Sequence, residues 1–301
     1  MTRIPILVTG SHKAGTTWVG EMLAASRRVG YISEPFNPMR ALGMCNMGRQ
    51  VWFKYIPPDS LEDDAARHLA RTLSYKFSLA EVRQRTPSLM DYRSGVYWAR
   101  HCLAYRLRGV RPLLKDPIAV FSAEWLAETF GAQVVVLIRH PAAFADSLNR
   151  AGWNFDFSNF LRQPLLMEHY LDRFADEIRA AAARPMDILD QASLLWRVIY
   201  HTVYEYQQAH PAWYFVRHED LSLDPIAEFR QLFRYLDLPF SDKVGEVITD
   251  HTSGSYRGEL KRDSRKNAIA WTGTLTAKEI SRLRGQVDDV AHLYYADTEW
   301  G

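Results

Sequence analysis

Five short apolar runs punctuate the chain, at residues 4–9, 31–33, 112–115, 133–138 and 213–217. Each reads as a β-strand. The fourth, "QVVVLI", is continuous rather than alternating, as expected of a strand covered on both faces. Pro5 falls near the start of the first run, where a strand tolerates it. Helical spacing of apolar residues fills the intervals, so the pattern predicts an α/β protein with a central, mostly parallel five-stranded sheet flanked by helices.

Helix starts are marked by chemistry as well as by spacing. Asp116–Pro117, Asp224–Pro225 and His140–Pro141 each place a capping side chain before a proline at the first helical position. Thr276 and Glu279 stand at capping-box spacing, with Leu275 and Ile280 set for a hydrophobic staple, predicting a final amphipathic helix to about His292. Two stretches interrupt the strand–helix alternation. Residues 36–110 are helical in pattern and rich in aromatic residues (Trp52, Phe53, Tyr55, Tyr92, Tyr97, Trp98), and 154–211 read as two long helices parted near Pro185. Such insertions commonly cover a site at the carboxyl ends of parallel strands. No repeat, low-complexity tract or linker divides the chain, so the expectation is one domain over 1–301 with helical caps.

Composition narrows the class. The chain has 301 residues, 47% of them hydrophobic and 24% charged, as a soluble globular protein does. A net charge of +2 gives no ground for a nucleic-acid partner. Two cysteines, Cys45 and Cys102, build no disulfide framework and no zinc site, and the ten histidines show no metal-ligand spacing. The apolar start passes directly into the first loop, and no run is long enough to span a membrane. The expectation is a cytoplasmic protein with no metal; self-association is left open.

The chemistry begins at Val8, in "VTGSHKAGTTWVGEML". A strand leads to Gly10, then Gly15, then Thr16 and Thr17 opening a helix. Backbone N–H groups at a helix start, together with the helix dipole, favour an anion. A P-loop would carry lysine where Thr16 stands, whereas the only lysine here is Lys13, within the loop. From the residues alone the loop binds a phosphate-like group. An ATP- or GTP-dependent phosphotransferase on an altered P-loop and a non-catalytic nucleotide-binding protein both stay open.

"HKAGTTW" closely resembles the "PKSGTTW" loop of sulfotransferases that use 3′-phosphoadenosine-5′-phosphosulfate (PAPS), with His12 replacing the proline. The resemblance implies a P-loop-like sulfotransferase fold. It also implies a loop of Lys13, Ala14, Gly15, Thr16 and Thr17 around the 5′-phosphosulfate, with Trp18 against the adenine. "LIRHPAAFADSLNR" is similar to the family segment that holds the 3′-phosphate, implying Arg139 and Ser147. "DHTSGSYRGELKRDSRKNAIAW" resembles two late family segments, implying Thr252, Ser253, Arg265 and Lys266 near the nucleotide. Its departures at Gly254, Asn267 and Trp271 make Lys261 and Arg262 alternatives. "FVRHEDL" resembles the strand end that meets the adenine, with His218 at the contact.

Sulfuryl transfer needs a general base for the acceptor and a cation at the leaving oxygen. The histidine base of the small-molecule branch is absent: "LLKDP" has Lys115 in the lysine's place and Pro117 in the histidine's. "YISEPFNP" is similar to the branch with a glutamate base, which includes carbohydrate-acting and bacterial members, and implies Glu34, with Asp116 as second candidate. The expected activity is transfer from PAPS to a small-molecule, lipid or carbohydrate acceptor. Lys13 neutralises the leaving group, Lys115 assists at the sulfuryl group, and 3′-phosphoadenosine-5′-phosphate (PAP) is released.

Overall fold

A computed structural model of the protein describes residues 3–39, 47, 51–60, 63–77, 89–253 and 263–300, without the side chains of 63 and 89–94. Cys45, Lys261, Arg262 and the Tyr92 side chain, singled out from the sequence, lie outside the described residues.

All five expected strands form. They are β1 Ile6–Gly10, β2 Val29–Ser33, β3 Arg111–Lys115, β4 Gln133–Ile138 and β5 Tyr214–Arg217. They make one parallel sheet in the order β2-β3-β1-β4-β5. Alternate residues of β1 feed opposite cores. Ile6 and Val8 join Trp18, Val19, Met22 and Leu23 of α1 (Thr16–Ala24), while Leu7 faces the other core. That second core also takes Ala142, Phe144 and Leu148 of α2 (Pro141–Ala151), Trp196 and Tyr200 of α3 (Ile188–Ala209), and Leu283 and Val287 of α4 (Ala277–Ala291). Burial on both faces is what the continuous apolar run of β4 requires.

The caps form as expected. Asp116 Oδ1 accepts from Ile118 N at 3.0 Å, His140 Nδ1 from Ala142 N at 3.2 Å, and Asp224 Oδ1 from Ala227 N at 3.2 Å. Thr276 and Glu279 complete a capping box at α4.

The insertions follow their expected helices in part: the first forms helices at Asp63–Leu73 and Leu89–Arg108, and the departures lie elsewhere. Only α3 is long within 154–211; before it lie short helices at Ser158–Leu161, Pro164–His169 and Ala175–Ala183. Pro164, lacking an N–H, begins a new helix and cannot continue the previous one. Residues 51–60 carry no helix, and Pro57 and Pro58 oppose one there. Side chains of the other insertion satisfy their backbone instead: Trp52 N donates to Asn159 Oδ1 at 3.0 Å and Tyr55 N to Gln163 Oε1 at 2.8 Å. Among the described residues no helix is long and apolar enough to cross a membrane.

Candidate active site

A parallel sheet sends every strand's carboxyl end to one edge, so the residues just beyond the five strands meet there. Lys13 comes after β1, Glu34 after β2, Lys115 ends β3, Arg139 comes after β4 and His218 after β5. An open cleft of about 850 Å³ lies over this edge. Its wall contains Lys13, Gly15, Thr16, Thr17, Trp18, Glu34, Arg139, Ser147 and His218.

The loop between β1 and α1 is shaped by glycines at two points. Gly10 lies so close to β4 that a Cβ would stand 2.4 Å from the Leu137 carbonyl oxygen. Gly15, at φ 96°, caps α1; a Cβ there would lie 2.6 Å from the buried His218 ring. Between them Ala14 N donates to Ser11 O at 3.1 Å, and the Ser11 hydroxyl bonds the Tyr200 hydroxyl at 2.8 Å. Ala14 is wholly buried and shapes the turn. Lys13 is left-handed, at φ 64°, and exposed. Arg139 donates from Nη1 to the Lys13 carbonyl, joining the first loop to the end of β4. Trp18 packs edge-on against His218 and Phe229, with ring centroids 5.7 and 5.2 Å away.

The acidic corner is built on β2 and β3. Glu34 N donates to Lys115 O at 2.9 Å, extending the sheet ladder, and Glu34 then turns left-handed at φ 51°. Its carboxylate accepts from Lys115 Nζ on Oε1 and from Asn37 Nδ2, at 2.7 Å, on Oε2. The side chains of Lys115 and Glu34 are 2% and 14% exposed. Lys115 is thus buried against Glu34 rather than in the cleft wall. Asp116 is fully buried and outside the wall; it accepts from Phe36 N at 2.6 Å and Ile118 N at 3.0 Å. Burial, opposed by those bonds and reinforced by Glu34, lifts its carboxyl to about 7.

The late segment enters differently from its expected register. Asn267, Ala270 and Trp271 line the cleft, whereas Thr252, Ser253, Arg265 and Lys266 do not. Thr252 Oγ1 donates back to Ile248 O at 2.8 Å, and Ser253 bridges to Asp263. Arg265 Nε donates to Leu223 O at 3.2 Å, and Lys266 pairs with Asp263 at 3.2 Å.

Two wall residues, Asn37 and Arg150, carry no sequence signal of their own, and the wall also takes His12, Trp153 and Trp52 of the aromatic-rich stretch. His12 sits among Phe53, Phe144 and Trp153, with centroids 5.8, 5.2 and 4.2 Å away. Neither ring nitrogen has a partner among the described residues, and burial, helped by Lys13, pulls its pKa down to about 3. Its departure from the family loop was the one available hint. Among the described residues, no group of three or more His, Cys, Asp or Glu could hold a metal ion.

Comparison with known proteins adds a family. The model described as "Sulfotransferase family" matches residues 5–242. No curated protein matches the chain. Among solved structures, the sulfotransferase domain from the curacin biosynthetic pathway superposes with a TM-score of 0.51 at 14% identity, covering 95% of this chain and 98% of that one. The sulfotransferase domain of the Synechococcus PCC 7002 olefin synthase gives 0.48 at 15% identity, covering 98% and 94%. The sulfotransferase STF9 from Mycobacterium avium gives 0.47 at 12%, covering 99% and 78%. At such identities likeness speaks to fold alone, and it is the curacin-pathway domain that bears on it.

Proposed function

This chain belongs to the sulfotransferase family, and we propose that it moves a sulfuryl group from PAPS to an acceptor hydroxyl or amine, with Glu34 as general base. The observation that carries this reading is the company Glu34 keeps. A carboxylate tethered by Lys115 and Asn37 opens on the same cleft as an anion loop and an arginine–hydroxyl pair.

The residues fit the donor. The helix start at Thr16 and Thr17, with Lys13, offers N–H, hydroxyl and ammonium donors to a 5′-phosphosulfate. Arg139 and Ser147 offer a guanidinium and a hydroxyl to a 3′-phosphate. Trp18 and His218 form the ring-lined end suited to adenine. The donor supplies the sulfuryl group together with its own leaving phosphate.

The chain supplies the rest. As an acceptor oxygen or nitrogen bonds to sulfur, Glu34 takes its proton, and the sulfur–oxygen bond to the phosphate breaks. Lys13 and the α1 amides meet the charge that gathers on the leaving oxygen. Lys115, held to Glu34, keeps that carboxylate in place. Asp116 has both oxygens committed to backbone N–H groups, which favours a structural role. We read the chain as one domain whose insertions, about 36–110 and 154–211, shape the acceptor side; Trp52 and Trp153 reach the cleft from their vicinity.

Titration calorimetry with PAP, AMP and ATP tests the donor. PAP binds most tightly if the second anion site is for a 3′-phosphate, and tighter binding of ATP refutes the reading. Glu34→Gln tests the base: PAP affinity holds while turnover falls about 10²–10⁴-fold. Near-parent turnover in Glu34→Gln removes Glu34 from that role.

A further inference from the structure

We infer that Arg150 is the second cation of the 3′-phosphate pocket, doing the work that the sequence resemblance gave to Arg265 and Lys266. The inference rests on the donor reading above and concerns ligands with a phosphate on the 3′-hydroxyl, the class of adenosine 3′,5′-bisphosphates.

Three observations carry it. First, Arg150 lies three residues after Ser147 on α2, at a spacing that puts both on one helix face, and both line the cleft. Second, Arg150 is oriented. Its Nε and Nη2 each reach Asp146 Oδ2 at 3.0 Å, and Asp146 Oδ1 accepts from Thr274 Oγ1 at 2.8 Å. One edge of the guanidinium is thereby fixed, and Nη1 is left without a partner among the described residues. Third, Arg265 and Lys266 are engaged elsewhere, with Leu223 O and Asp263, and neither lines the cleft.

Electrostatics makes the same demand. Asp146 is buried, lines the cleft and directly precedes Ser147. A phosphate beside Arg139 and Ser147 would face that carboxylate. The Arg150 guanidinium covers one of its oxygens and Thr274 the other, so the local charge turns from hostile to receptive. The late segment then serves the phosphate indirectly, through Thr274, Asp146 and Arg150 in sequence.

Calorimetry on the full chain with PAP and with AMP tests this, using Arg150→Ala, Arg150→Lys and the double variant Arg265→Ala/Lys266→Ala. Loss of a charge-assisted phosphate contact should weaken PAP by roughly 10- to 100-fold in Arg150→Ala. AMP affinity should stay within about twofold of the parent's, which also reports an intact fold, since AMP lacks the 3′-phosphate. Arg150→Lys should recover part of the loss, and the double variant should bind PAP as the parent does. Parent-like PAP affinity in Arg150→Ala overturns the inference, as does a loss confined to the double variant. A parent that binds PAP no better than AMP overturns the 3′-phosphate reading itself, an outcome visible before any variant is made.

Discussion

Gly15→Ala is the substitution whose effect comes most directly from the geometry. Two penalties arise. At φ 96° the backbone is left-handed, which costs a residue with a Cβ about 1–2 kcal/mol. The new methyl would also stand 2.6 Å from His218 Cδ2 and 3.3 Å from Nε2. His218 is buried, with Trp18 against its edge and Ser222 Oγ 3.4 Å from Nδ1, so its ring has little room to retreat. Overpacking of this kind costs about 1–3 kcal/mol. The sum is about 2–5 kcal/mol, read as the change in unfolding free energy by urea titration. The two parts separate in a double-mutant cycle with His218→Ala. Removing the ring abolishes the clash and leaves the backbone penalty, so the cycle should show a coupling of about 1–3 kcal/mol. A cost below about 0.5 kcal/mol for Gly15→Ala, or a coupling near zero, would refute the reasoning.

Two further predictions concern buried titratable groups. Asp116, whose folded pKa lies near 7, above its unfolded value of about 4, stabilises the fold while protonated, and that contribution fades as pH rises between the two. Asp116→Asn should flatten this part of the stability–pH curve, measured by urea titration at several pH values; an unchanged slope assigns it to other groups. His12 has the opposite sign. Its pKa is lowered to about 3, so stability present above about 6.5 is lost as pH falls toward 3. His12→Phe should suit the aromatic box of Phe53, Phe144 and Trp153, remove two ring nitrogens that have no partner among the described residues, and reduce that acid loss. A variant at least as acid-sensitive as the parent would contradict it.

The frame of the molecule could be read from the chain because one physical demand wrote it. Strands buried on both faces need unbroken apolar runs, and β4 is bounded as "QVVVLI" indicates. Residues at the carboxyl ends of such runs share one edge, so Lys13, Glu34, Arg139 and His218 come together without further instruction. Ser147 was legible for a similar reason, since a helix beginning at Pro141 carries it back over that edge. Arg150 was not, because an arginine late in a helix has the look of ordinary solvated charge until Asp146 and Thr274 fix it. Asn37 depends on the left-handed turn at Glu34, which nothing in the composition announces. Of the late segment, Arg265 and Lys266 stand off the cleft wall. Ser264 Oγ bonds to Ser222 O at 2.9 Å and Arg265 to Leu223 O, tertiary contacts that turn Asn267 rather than Lys266 toward the cleft.

The ring cluster around His140 ties the cleft to the order in which the chain is made. His140 is the residue after Arg139; its ring stacks on Trp271 at 4.8 Å, with Tyr295 and Trp300 against its edges at 4.8 and 4.7 Å. On a ribosome the five strands can pair once residue 217 has emerged, yet three of the four rings in this cluster arrive only afterwards, ending with Trp300. The residues of all five strands therefore precede the three rings that brace the position next to Arg139, so that end of the cleft is packed by side chains made after the sheet's own.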